Sequence, residues 1–225
     1  LKMTVVYITH DLGVVANVAD RVSVMYTGQI IEYGSSHEIF KSPVHPYTKA
    51  LLQSLPQLGV KGYDLYSIKG TPPNLYKEIV GDAFAPRNPD AMNIDFEAEP
   101  PLFQVSESHY VKSWLMHPMA EAYREKLAQH EADRCMATQD ATELFDYSVS
   151  HEKLLSIKNL TVKFKLNNKE FRAVDDVSFD IYKGETLSLV GESGSGKTTI
   201  GRAIMNIYNN VEGEIKYKDS SIAGR

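Results

Sequence analysis

Cysteine is almost missing: Cys135 stands alone in 225 residues. That excludes an internal disulfide and a thiolate metal cage. No run of about 18 uncharged apolar residues occurs, so no bilayer-spanning helix is expected. Leu1-Lys2-Met3-Thr4 lacks the charged head, apolar stretch and cleavage site of a secretory signal. A cytosolic compartment fits these absences. There is no basic excess either. The net charge is −5, and residues 58–150 hold fifteen acidic against eight basic groups. Such an excess reads most simply as a solvated surface, and nothing resembles a nucleic-acid footprint. What remains is an ordinary globular composition, 43% hydrophobic with 14 Gly and 10 Pro. The length suits one large domain or two modest ones.

Three segments follow. In the first, residues 1–57, Thr4-Val5-Val6-Tyr7-Ile8 reads as a buried strand that ends at Thr9-His10-Asp11. A short helix is expected over 12–19, a second buried strand over 21–26, a Thr27-Gly28 turn and a third strand over 29–33. Ser35 or Ser36 caps a short helix through Phe40. Pro46 suits the first turn of another helix, with Tyr47, Leu51 and Leu55 at helical spacing. A chain that opens on a buried strand lacks a normal beginning, and residue 1 reads as a truncation point.

In the second segment, residues 58–150, breakers recur from Gly62 to Pro100-Pro101 and allow short turns and extended pieces only. Met119 to about His130 suggests a polar helix, and 131–150 suits a linker. In the third, residues 151–225, alternation over 154–165 gives a half-buried strand with one slip near Asn159. Asn167-Asn168 turns the chain, 171–181 returns, and 186–190 is a buried strand.

Gly191-Glu192-Ser193-Gly194-Ser195-Gly196-Lys197-Thr198 then fits G-x-x-x-x-G-K-[ST]. The strand before it and Ile200, Ala203, Ile204 and Ile207 at helical spacing after it supply the required context. Glycines let successive N–H groups turn inward, and the helix N-terminus adds partial positive charge at the same point. Lys197 is placed to reach β- and γ-phosphates, and the Thr198 hydroxyl to hold Mg²⁺. A guanine-reading N-K-x-D is missing; the nearest match, Asn168-Lys169-Glu170-Phe171, precedes the loop and ends in Phe. Phe164 either stacks on an adenine face or fills the core of its β-layer.

These residues resemble the ATP-binding cassette family, specifically the ATPase subunits of oligopeptide and dipeptide importers. Leu189 through Thr199 is very close to the family's phosphate loop, so Gly191, Glu192, Ser193, Gly194, Ser195, Gly196, Lys197, Thr198 and Thr199 become candidate ATP contacts. Ala173 to Phe179 resembles the strand before that loop, and Phe164 falls where the family has its aromatic stacking residue. Thr9-His10-Asp11 resembles the switch histidine that senses the γ-phosphate, which makes His10 the candidate catalytic residue. His45-Pro46-Tyr47-Thr48, with Leu51-Leu52 and Gly70-Thr71-Pro72-Pro73, resembles the peptide-importer C-terminal extension. His45 is read as a structural marker, not a catalyst.

The resemblance therefore implies an α/β fold: a partial P-loop NTPase (ABC ATPase) sheet, an antiparallel β subdomain and an irregular peptide-importer C-terminal extension. The order is that of one subunit's tail followed by the next subunit's head. It implies ATP and Mg²⁺ as cofactors, and transmembrane permease subunits and a second ATPase subunit as partners. The expected location is cytoplasmic, peripheral on the inner face of the membrane and without direct insertion. Many relatives carry four cysteines that ligate an iron–sulfur cluster. Asp82, Asn88, Asp95 and Ser113 stand at the corresponding positions, so no cluster is expected. The coupling glutamine, the signature and the Asp-Glu pair are not found between loop and switch histidine. ATP binding is expected, and efficient hydrolysis by this chain alone is not. The alternative is a non-catalytic, truncated nucleotide-binding fragment; an exporter-type cassette is disfavoured by His45-Pro46-Tyr47. In the family's sheet the phosphate-loop strand lies between the switch strand and the strand after it. Strands 4–8, 186–190 and 21–26 could then assemble one reduced, permuted sheet within the chain, the alternative being that each half needs its intact neighbour.

Overall fold

A computed structural model describes residues 3–54, 68–77, 79–134, 152–166, 169–208, 210–218 and 220–222. The expected helical position of Leu55, the Asn167-Asn168 turn and the linker over 135–150 lie outside them.

The first sheet joins segments from distant parts of the chain. Its strands, in chain order, are β1 (Val5–Ile8), β2 (Arg21–Tyr26), β3 (Gln29–Ser35), β4 (Leu102–Gln104), β5 (Tyr110–Lys112) and β8 (Thr186–Val190). They lie side by side as β1-β8-β2-β3-β5-β4. β8 runs parallel to both neighbours, with Val6 opposite Leu187 and Val24 opposite Val190. β2, β3, β5 and β4 continue antiparallel. Of the two arrangements, the permuted sheet within the chain is the one observed. Side chains at the start of β8 reinforce it: Asp20 accepts the Thr186 N–H at 2.6 Å, and Arg21 meets buried Glu185 at 3.1 Å.

The second sheet is local and antiparallel. β6 (Lys153–Leu166), β7 (Lys169–Tyr182), β9 (Val211–Tyr217) and β10 (Ser220–Ser221) form the order β10-β9-β6-β7. The expected slip is real, since Asn159 has φ 50° and the β6–β7 register shifts between Ile157 and Leu160. Asparagine tolerates that left-handed conformation better than most residues.

Period-2 alternation explains how one continuous apolar run covers two cores. In β2, Met25 joins the core shared with the second sheet, while Val22, Val24 and Tyr26 face the other core. Leu187 and Leu189 of β8 point to the first core and Val190 to the second. The second core is covered by three helices: α1 (Leu12–Val18), α2 (Ser36–Lys41) and α3 (Pro46–Gln53). Each has a legible start. Asp11 accepts from the Gly13 and Val14 N–H groups, Ser35 and Glu38 form a capping box, and His45 Nδ1 accepts from the Tyr47 N–H at 3.0 Å. His45 is thus the cap of α3, fully buried, in line with its reading as a structural marker.

Four features depart from the sequence reading. β1 was expected to be buried, but among the described residues it pairs with β8 alone, and Tyr7 and Ile8 are exposed. An apolar run cannot distinguish an edge from a centre. Between Phe84 and Lys112 the expected short pieces appear as a 3-10 turn (Ala85–Arg87), α4 (Asn93–Glu97) and the strands β4 and β5. Those two strands extend the first sheet instead of standing apart from it. The polar helix α5 begins at Glu121 and runs to Arg134, into the stretch expected to be linker. The helix after the phosphate loop, α6 (Lys197–Ile204), stops before Ile207. Asn206 takes φ 54°, and its N–H and that of Ile207 bond to the Ala203 and Arg202 carbonyls. That is a Schellman termination, and it leaves Ile207 exposed.

Candidate functional site: a glycine loop between the two cores

β8 delivers the chain to Gly191 at the carboxyl end of the parallel strands, and α6 carries it away. Gly191, Gly194 and Gly196 all have positive φ, at 144°, 82° and 99°. Two of them are closely approached. A Cβ on Gly191 would stand 2.1 Å from the Met25 carbonyl oxygen, and one on Gly196 2.5 Å from that of Ala173. Glycine is required where backbone approaches backbone this closely. The β2–β3 turn braces the same loop, because the Gly28 N–H donates to the Ser195 carbonyl at 3.0 Å.

Lys197 closes the loop on itself. Its Nζ donates to the carbonyls of Gly191 (2.9 Å) and Glu192 (2.7 Å) and to Ser195 Oγ (3.0 Å). Burial pushes the ammonium below its usual pKa, and the Glu192 carboxylate opposes that shift. α6 begins on Gly196 with no side-chain cap. An uncapped helix N-terminus next to a desolvated ammonium is an arrangement that an anion would complete.

The remaining site residues are distributed as follows. Ser195 is buried, Ser193, Gly194 and Thr198 are exposed, and Thr199 is half-buried. His10 is exposed just past β1, whose Ile8 pairs with Leu189. The shared parallel direction puts His10 at the same end of the sheet as the loop. Phe164 is half-buried on β6, with Tyr208 edge-on at 5.3 Å and Phe171 tilted at 5.8 Å. It packs against the first core.

The side chains at the four cysteine-equivalent positions work as local caps. Asp82 accepts from the Phe84 N–H, Asn88 from Asp90, Asp95 from Met92 and Ser113 from Leu115. Among the described residues, no group of three or more His, Cys, Asp or Glu side chains is placed to hold a metal ion.

Residues 31–94 match the family model for the oligopeptide/dipeptide transporter C-terminal region, and residues 174–225 match the ABC transporter model. The chain is 60% identical over 114 residues to the oligopeptide transport ATP-binding protein AmiE of Streptococcus pneumoniae serotype 4, covering 51% of this chain and 32% of AmiE. It is 61% identical over 121 residues to the oligopeptide transport ATP-binding protein OppD of Bacillus subtilis, covering 53% of this chain and 34% of OppD. Over these stretches the chain is similar to ATP-binding proteins of oligopeptide transport.

A third likeness has a different extent. The glutathione import ATP-binding protein GsiA of Salmonella paratyphi A is 35% identical over 237 residues, covering 100% of this chain and 29% of GsiA. The chain spans about a third of the length of these relatives.

The loop is the ABC-type element that sequence made visible, whereas its supports were not. Arg87 and Tyr47 reach it directly, and Tyr26 supports Arg87. Tyr47 was notable for His45-Pro46-Tyr47 and for helical spacing with Leu51 and Leu55, neither of which pointed to the loop, and nothing in the spacing of Arg87 pointed to a loop 105 residues away.

Proposed function

We propose that this chain is part of the ATP-binding component of a peptide ABC transporter, with Mg-ATP held by Gly191 to Thr199. The observation that carries this reading is the buried Lys197 ammonium, folded onto loop carbonyls beside an uncapped helix N-terminus. Those groups fit a polyphosphate. Lys197 turns from the carbonyls toward the β- and γ-phosphates, the first N–H groups of α6 face the anion, and exposed Thr198 offers its hydroxyl to Mg²⁺. Bound Mg-ATP supplies the phosphoryl group whose hydrolysis drives transport in such systems. His10 attends the γ-phosphate from the neighbouring strand, and Phe164 offers a ring to the base.

The names of AmiE, OppD and GsiA support peptide-type cargo. Permease subunits and a second ATPase subunit are the partners, at the cytoplasmic face of the membrane. Among the described residues no helix is long and apolar enough to cross a bilayer. The collinear match to GsiA supports a tandem in which the tail of one cassette leads into the head of the next. The sequence holds no recognisable signature, coupling glutamine or Asp-Glu pair, so this chain binds ATP and turns it over poorly without the missing parts. The same absence favours a second reading, a nucleotide-binding fragment with no transport role of its own.

Calorimetric titration with Mg-ATP tests the proposal. Saturable binding is expected, weakened roughly 10- to 100-fold in Lys197→Ala, the loss of about 1.5–3 kcal/mol of charge-assisted hydrogen bonding. A folded chain that takes up no Mg-ATP overturns it. Turnover that stays absent when permease and flanking cassette parts are restored favours the fragment.

A further inference from the structure

Glu192, the second residue of the phosphate loop, is held at three points. Its carboxylate takes two parallel bonds from Arg87, Nη1 to Oε2 at 2.9 Å and Nη2 to Oε1 at 3.1 Å. Its N–H donates to the Tyr47 hydroxyl at 2.9 Å. Its carbonyl accepts from Lys197 at 2.7 Å. Only the last hold comes from the loop's own neighbourhood; the others reach across 105 and 145 residues.

The geometry points to Arg87 as a positioning residue for the phosphate loop, one that latches the C-terminal extension onto the first turn of the nucleotide site. This rests on the reading of 191–199 as that site.

The guanidinium is built in on every side. Nη1 also donates to the Tyr26 hydroxyl at 3.1 Å and Nε to the Lys69 carbonyl at 3.1 Å. Its carbon lies 5.8 Å from the centre of the Tyr26 ring and 5.9 Å from that of Phe84. The side chain is 5% exposed, against 25% for Glu192. A planar fork that pairs bidentately and stacks on rings is a task lysine cannot duplicate.

The consequence concerns the moment of binding. An arriving phosphate withdraws Lys197 from the Gly191 and Glu192 carbonyls and removes one of the three holds. Arg87 bonds the Glu192 carboxylate and Tyr47 its N–H, neither through Lys197, so both holds remain when Lys197 leaves. The loop keeps its shape through the exchange and has less ordering to do on binding. By reciprocity, nucleotide strengthens the docking of the extension on the loop to the same degree.

The test compares Arg87→Ala, Arg87→Lys, Glu192→Gln and the double variant Arg87→Ala/Glu192→Gln. The first readout is amide hydrogen exchange at Glu192 to Lys197 without nucleotide. The second is Mg-ATP affinity. Arg87→Ala and Glu192→Gln are each expected to speed loop exchange about tenfold and weaken Mg-ATP several-fold. The double variant is expected to be no worse than the worse single one, and Arg87→Lys to recover only part of the loss. Unchanged loop exchange in folded Arg87→Ala, or effects that simply multiply in the double variant, overturns the latch. If Arg87→Ala does not fold, Glu192→Gln, at a half-exposed position, decides the same question. A wild-type chain that binds no Mg-ATP defeats the nucleotide reading, and exchange without nucleotide still judges the latch.

Discussion

The two sheets are assembled from the chain in opposite ways. β6, β7, β9 and β10 come from the continuous stretch between Lys153 and Ser221 and pair with near neighbours in sequence. The sheet that carries the phosphate loop inserts β8 between β1 and β2, strands from the other end of the chain. Its far edge is completed by β4 and β5 from residues 102–112. Closing such distant pairs costs more chain entropy before any contact rewards it. The lesson is that the loop is encoded locally, while its stability and shape are not. Met25, Gly28, Tyr47 and Arg87 all belong to segments that precede the loop by a hundred residues or more: Met25 crowds Gly191, Gly28 and Tyr47 bond the loop backbone, and Arg87 holds the Glu192 carboxylate.

Glycine substitutions sharpen this contrast most strongly. Gly191 and Gly184 flank β8, and both have positive φ. A Cβ on Gly191 meets β2 backbone at 2.1 Å, whereas one on Gly184 meets nothing within 4 Å. Gly191→Ala is expected to cost about 3 kcal/mol or more, the sum of clash and backbone strain. Gly184→Ala is expected to cost about 1–2 kcal/mol, from the left-handed conformation alone. Urea denaturation measures both, and equal losses would break the comparison.

A smaller effect concerns acid. Burial raises the pKa of Glu38, but hydrogen bonds from Ser106, Ser35 and Ser108 outweigh it and hold the carboxyl at about 2, down from 4.5. Ser106 and Ser108 belong to the β4–β5 connection, so this carboxylate ties α2 to that connection. A depressed carboxyl contributes stability above its free value and loses it as pH falls toward the folded one. The first sheet is therefore expected to weaken as pH drops from about 4.5 to 2, a slope that Glu38→Gln reduces. The local sheet carries exposed surface pairs such as Lys183–Glu152 and Lys163–Glu212. Pairs of that kind add little and fade in salt. Amide exchange followed against pH and salt separates the two sheets.

Legibility in the sequence follows the same division. The phosphate loop, its strand and its helix form one contiguous pattern, and the Asn159 bulge disturbs a regular alternation, so all were readable. Ser35 was readable as a helix cap and Pro46 as a first-turn residue, whereas the capping by Asp11 and His45 emerges only in the fold. β4 and β5 have three residues each, too few for any period to register. The exposed edge of β1 depends on which strands lie beside it. The Arg87–Glu192 pair joins two charged residues among many, and only the folded chain selects them. Where a feature depended on partners far along the chain, periodicity carried no trace of it.

The central claim is that the strand feeding the loop is seated between strands from the opposite end of the same molecule. Interstrand nuclear Overhauser contacts test it most directly, with labelled and unlabelled chains mixed so that pairs within one molecule are distinguished from pairs between two. The account predicts intramolecular contacts from Val6 to Leu187 and from Val24 to Val190, matching the parallel register. A folded chain in which residues 186–190 contact only residues 152–222, or contact 5–8 only in a second molecule, would contradict it.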